Sequence, residues 1–179
     1  MTPDSTQSII VQAEKAYHEG NFTSAAGLFF QAGLALEQAG DPLKAAEMAN
    51  NRSVALLQAG NGQGALEAVE GVDQVFSQAG DMRRLALTLG NQAAALEAVN
   101  RLDEALAHYR QCNDLLKQVG DNENRATVLK SISTLQIKMG HHLEAVASMD
   151  AALGEQKSRS LQERFLKKLL NVPMRMLKK

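Results

Sequence analysis

The chain has 179 residues, 45% hydrophobic and 4% aromatic, with three prolines, one cysteine, no Trp and a formal net charge of −1. That is length for one ordinary domain with its own core, and the composition excludes a disordered chain. The lone Cys112 excludes an internal disulfide, no run reaches the roughly 18 apolar residues of a membrane span, and MTPDSTQSIIVQAEKAY does not read as a signal peptide, so a soluble, cytoplasmic protein is expected.

Abundant Ala and Leu favour helices, and glycines punctuate them. A first helix is predicted at about 5–19, stopping at Gly20, and a second at about 22–39, stopping at Gly40-Asp41. The next pair is expected at about 42–59 and 62–79, divided by Gly60 and closed by Gly80-Asp81. A third pair, about 82–99 and 101–119, is divided by Asn100 and closed by Gly120-Asp121. A fourth, about 122–139 and 142–157, is divided by Gly140. A ninth helix is predicted at about 159–171, and Pro173 discourages its continuation.

These stops fall on a 40-residue period. QAGD at 38–41 returns at 78–81 and, as QVGD, at 118–121. Twenty residues earlier stands a second column, Gly20, Gly60, Asn100 and Gly140. Ala25, Ala65, Ala105 and Ala145 are identical in all four repeats. Phe29, Val69, Tyr109 and Met149 are large, and Ala32, Val72, Cys112 and Ala152 are small or medium. Gly or Asn can end a helix in the left-handed conformation, and an Asp after it can cap the next. Each repeat is therefore helix A, turn, helix B, turn, with a close A–B crossing at the Ala column. One amphipathic hairpin cannot bury its apolar face alone, but a stack can. The expected fold is all-α: a right-handed superhelical solenoid of four hairpins, about 2–41, 42–81, 82–121 and 122–157, with the A helices lining a concave groove. Residues 158–179 are expected to form a separate basic amphipathic helix and tail.

The pattern resembles the tetratricopeptide repeat (TPR), in which a Gly near the A–B turn is followed by aromatic, small, bulky and small residues. EGNFTSAAGLFFQA supplies Gly20, Phe22, Ala25, Phe29 and Ala32, and VNRLDEALAHYRQC supplies Asn100, Leu102, Ala105, Tyr109 and Cys112. The resemblance covers about residues 5–157 and is nearest to the 40-residue repeats of spindle-orientation adaptors and, less closely, kinesin light chains. The helix-A Trp and Leu-Gly pair of that family are absent, as at Ala49, Arg52 and Ser53, and Gly62 stands where the post-turn aromatic belongs.

The resemblance implies a peptide-binding groove without enzymatic activity. In the 40-residue group an Asn on the inner face of helix A contacts the ligand backbone, and the matching column is Val11, Asn51, Asn91 and Ser131. An amide offers both donor and acceptor to such a backbone. Asn50, Lys130, Lys138, Glu14 and Glu97 are expected on or near the same face. The carboxylate clamp of the chaperone-binding subclass is not assembled, since Ile10 and Glu14 occupy its first two columns and would not hold an anion.

Charge is unevenly spread. Residues 155–179 hold 8 Lys+Arg against 2 Asp+Glu, so the remaining chain is acidic. In the tail, Leu161, Phe165 and Leu169 recur at helical spacing, with Arg164, Lys167 and Lys168 off that stripe. This helix reads as a cap over the last repeat, while Arg164, Phe165, Lys167 and Lys168 would alternatively contact an anionic membrane or a partner, giving a peripheral assembly factor. Self-association through an uncapped end is a further alternative. His141 and His142 are adjacent and so diverge on a helix; no metal site is expected, and His142, at the post-turn aromatic position, is expected to pack. Cys112 falls in a core column and reads as a buried structural thiol. Phosphate-loop, dinucleotide, nucleophile-elbow and zinc-protease motifs are absent, so neither enzyme activity nor a cofactor is expected. The acidic body argues against nucleic acid. The expected partner is another protein, held through a peptide segment.

Overall fold

The computed structural model describes residues 3–155. These form α1 (Pro3–His18), α2 (Phe22–Gln38), α3 (Pro42–Gln58), α4 (Gly62–Ala68), α5 (Val72–Gln78), α6 (Met82–Ala98), α7 (Leu102–Gln118), α8 (Asn122–Lys138) and α9 (His142–Glu155), with no strand among the described residues. The predicted helix at 159–171 lies outside them. The chain divides into two compact units, residues 1–108 and 109–179. In the first, α1 packs on α2, α2 on α3, and α3 on α4, α5 and α6. In the second, α8 packs on α9.

Both punctuation columns do what their residue types allow. Gly40, Gly80 and Gly120 have φ of 76°, 70° and 70°, and Gly20, Gly60, Asn100 and Gly140 have φ between 62° and 81°. At the QAGD joint the Gly40 N–H donates to the Glu37 carbonyl and the Asp41 N–H to the Leu36 carbonyl, each at 3.0 Å. These two bonds satisfy carbonyls that the end of α2 would otherwise leave bare. The Asp41 carboxylate then accepts from the Lys44 N–H at 3.1 Å and opens α3. One residue thus closes one helix and starts the next. Asp81 repeats this, donating to Phe76 O at 3.0 Å and accepting from Arg84 N at 2.9 Å. So does Asp121, with Leu116 O at 2.9 Å and Asn124 N at 3.2 Å.

Between the helices of each pair, small side chains permit close approach. Ala25, Ala65 and Ala105 are fully buried and Ala145 nearly so. A second small column faces the crossing from the A helices: Ala13, Ser53, Ala93 and Ser133, all buried. Its serines are tied across it, Ser53 Oγ donating to Ala65 O at 2.9 Å and Ser133 Oγ to Ala145 O at 2.7 Å. A buried hydroxyl without such a bond would be costly. One core of the first unit gathers Ala13, Ala25, Phe29, Ala32, Leu36 and Met48 from α1, α2 and α3. Another joins Ala46 of α3 to Val72 and Phe76 of α5, where Phe76 is fully buried and contributes about 2–3 kcal/mol by leaving water.

Two expectations need correction. The single helix at 62–79 is in fact two, α4 and α5, broken at Val69-Glu70-Gly71. Gly71 adopts φ 73°, a left-handed step that cannot continue a right-handed helix. Around it Val69 N bonds Leu66 O and Val72 N bonds Val69 O, both at 3.3 Å, a tighter three-residue turn. His142 does not pack; it is exposed. At the equivalent position Phe22 finds Tyr17 across its turn, edge to face at 5.3 Å. Across the turn from His142, Ile137 takes the place of Tyr17 and is itself exposed.

Candidate functional site

Asn51 of α3 and Asn91 of α6 stand 40 residues apart in helices opened by Asp41 and Asp81, so equal spacing from equal caps gives them the same helical phase. Both are half-buried. Asn91 is oriented from beneath. Its Nδ2 donates to Asn50 Oδ1 at 3.3 Å; Asn50 Nδ2 donates to Thr88 Oγ1 at 2.8 Å; Thr88 Oγ1 donates to the Arg84 carbonyl at 2.9 Å. Thr88 is fully buried and Asn50 nearly so. Asn50 therefore holds α3 against α6, and its amide is spent inside the protein. Asn91 keeps its carbonyl oxygen, and Asn51 keeps its whole amide, for other partners.

The remaining residues of the expected face are placed as follows. Val11 of α1 is exposed, a large apolar group left in water. Glu14 is exposed and Glu97 half-buried. In the second unit, Lys130 and Ser131 of α8 are half-buried, Ser131 Oγ donating to its own helix at Thr127 O, 3.4 Å away. Lys138, in the last turn of α8, is exposed. Arg164, Phe165, Lys167 and Lys168 lie outside the described residues. Cys112 is buried. Among the described residues no group of three His, Cys, Asp or Glu side chains is placed to hold a metal ion, and no helix is long and apolar enough to cross a membrane.

The break in the second repeat makes two cavities that sequence reading missed. One, of about 340 Å³, is lined by α2, α3 and the break. Phe30 and Leu34 are exposed on it, and the Arg52 guanidinium lies 4.4 Å over the Phe30 ring. The other, of about 350 Å³, is lined by α4, the break, Gln92 and Leu96 of α6, and Arg101, Glu104 and His108. At its edge Arg101 grips Glu104 through two bonds of 2.7 and 2.6 Å. Those bonds hold the Glu104 carboxyl below its ordinary range and raise Arg101 further. The available signal was Gly71 itself, an isolated glycine inside a helical pattern.

The repeated hairpins, their joints and their small-residue crossings can be set against known proteins. No family model matches the chain, and no curated protein matches it. Among solved structures it is similar to a candidate kinesin light chain from Podosopora anserina with nearly identical TPR-like repeats. The two share 15% identity at a TM-score of 0.72, over 99% of this chain and 95% of that one. The fold is that of TPR-like repeats. At this identity the likeness concerns backbone architecture; the Asn column and the broken helix are features of this TPR-like chain's own sequence.

Proposed function

We propose that this protein is a non-enzymatic interaction scaffold that holds a peptide segment of a partner protein against the inner face of its A helices. TPR-like repeats in general mediate protein–protein interaction, which supports the class. The observation that carries the finer reading is the amide pair of Asn51 and Asn91. Asn is a poor helix former in mid-helix, costing about half a kcal/mol or more relative to Ala. The cost recurs at one phase of two successive A helices, and Asn91 is further held in place by Asn50. Asn51 can both donate to and accept from an extended backbone, and Asn91 can accept through its carbonyl oxygen, without demanding a sequence. Glu14 on α1 and Glu97 on α6 would add charged contacts that choose among peptides.

The test is capture of partners from native lysate by the parent protein and by Asn51→Ala/Asn91→Ala. Both side chains are only half-buried, so the variant is expected to melt within a few degrees of the parent. It is expected to lose the captured partner, or to hold it roughly tenfold more weakly when the interaction is then measured with purified components, the effect of about two hydrogen bonds. A folded double variant that binds the same partner with unchanged affinity removes the assignment.

A further inference from the structure

A groove that holds a peptide backbone asks for no particular sequence, but the hydrogen bonds beneath Asn91 add one demand. They begin at the Arg84 carbonyl, which can accept and has no proton to give. Thr88 Oγ1, 2.9 Å away, must therefore donate to it. With its proton spent the hydroxyl can only accept, and Asn50 Nδ2 donates to it at 2.8 Å. Turned the other way, Asn50 would set its own oxygen against those lone pairs. Thr88 is fully buried and Asn50 is 9% exposed, so little water is at hand to repair such a mismatch. The Asn50 Oδ1 is then left to face Asn91, whose Nδ2 donates to it at 3.3 Å. Each link fixes the next, and the polarity of a backbone carbonyl is carried outward to Asn91. Arg84, Thr88 and Asn91 can be linked this way because they stand at i, i+4 and i+7, on one face of α6.

The groove meets the other end of that amide. Asn91 is half-buried, and its Oδ1 has no partner among the described residues yet is not closed off from solvent. Asn51 has no such clamp. The residue 41 positions before Asn91 is Asn50, whereas the residue 41 positions before Asn51 is Ile10, which can neither donate nor accept. We infer that Asn50 and Thr88 are positioning residues that hold the Asn91 oxygen toward the ligand, so that the bound segment must bring a backbone N–H to it. This narrows, and rests on, the groove proposed above. Proline at that position has no N–H to bring and is refused there. An amide free to turn over would tolerate donor or acceptor, and Asn51 keeps that freedom. At Asn91 a second acceptor would meet a fixed oxygen in a partly dried groove, and the cost of that meeting is what selects.

The experiment has two arms, both on the full-length protein. The first needs no ligand and follows hydrogen exchange of side-chain amides by NMR. The Asn50 and Asn91 amide protons are expected to exchange more slowly than those of Asn51. Thr88→Val should remove that difference at Asn91, and Thr88→Ser, which keeps the hydroxyl, should preserve it. Equal exchange at Asn91 and Asn51 in the parent overturns the relay. The second arm uses peptides selected from a random displayed library and resynthesised with each backbone amide in turn replaced by an ester. An ester removes one N–H at nearly constant shape. At one position the ester is expected to weaken binding about tenfold. That penalty should shrink in Asn91→Ala and in Thr88→Val and persist in Thr88→Ser. A merely structural role for Thr88 would lower affinity for amide and ester alike and leave their ratio unmoved. If Asn91→Ala weakens binding yet no ester position is coupled to it, the fixed polarity is overturned while the groove stands. A ligand side chain acting as the donor would give that same result. Selected peptides that bind Asn51→Ala/Asn91→Ala as tightly as the parent, or a selection that yields no binder, overturn the groove and this inference with it.

Discussion

At single positions, steric room decides what the repeat pattern leaves open. Gly62 occupies a column that elsewhere holds Phe22, Leu102 and His142. A Cβ there would meet Ala98 Cβ at 2.8 Å and the Ala98 carbonyl carbon at 3.3 Å. The end of α6 presses on the start of α4, and only the absent side chain allows it. Placing Ala in a helix instead of Gly ordinarily gains about 0.5–1 kcal/mol. Here overpacking against backbone should outweigh that gain. Gly62→Ala is expected to lose about 1–3 kcal/mol, read as a lower urea midpoint at unchanged slope. A raised midpoint would mean the approach is looser than 2.8 Å implies. This constraint was invisible in the sequence because Ala98 lies 36 positions away from it. Asn50 is similar: its letter announces an amide, but only the neighbouring helix shows that the amide is spent on Thr88 and Asn91.

The helices themselves were largely legible, because their ends are written in residue types with conformational meaning. Seven of the predicted stops are left-handed residues at the two punctuation columns. Where one repeat departs from its fellows, local letters compete with the period. GNGQGALEAVEGVDQVF has the Ala and large-residue columns in place, yet Gly71 divides its helix. No atom lies within 4 Å of where a Gly71 Cβ would sit, so a substitution there tests backbone strain alone. Gly71→Ala is expected to cost about 1–2 kcal/mol, and Gly71→Asn less, since Asn tolerates the left-handed region better. Denaturant melts of the two variants give the comparison, and an Ala variant as stable as the parent would show that α4 and α5 can merge. The cavity holding Gln92 and His108 follows from that break, which is why a strictly periodic reading could not locate it.

For the molecule as a whole, acids at helix starts and in exposed pairs give stability a modest dependence on pH. Asp41 is held below the ordinary carboxylate range, first by its bond to the Lys44 side chain and then by the Lys44 N–H. Glu104 is lowered by Arg101. An acid whose value is lower folded than unfolded stabilises the fold above its unfolded value, and that contribution fades as pH falls through the folded one. Melting temperature is therefore expected to drop on acidification from about pH 5 downward. In Asp41→Asn, which still caps a helix but does not titrate, the fall should be shallower. Parallel slopes for parent and variant would remove Asp41 as a contributor. Architecture at this scale was readable because four columns recur at one period. The identity of a partner was not, because the packing of repeats does not constrain exposed side chains.

The joint at Gly40-Asp41 leaves the chain no spare length. The same aspartate completes the preceding helix through its N–H and opens the following one through its carboxylate. A residue added between them would separate the two roles, so that one position no longer serves both helices.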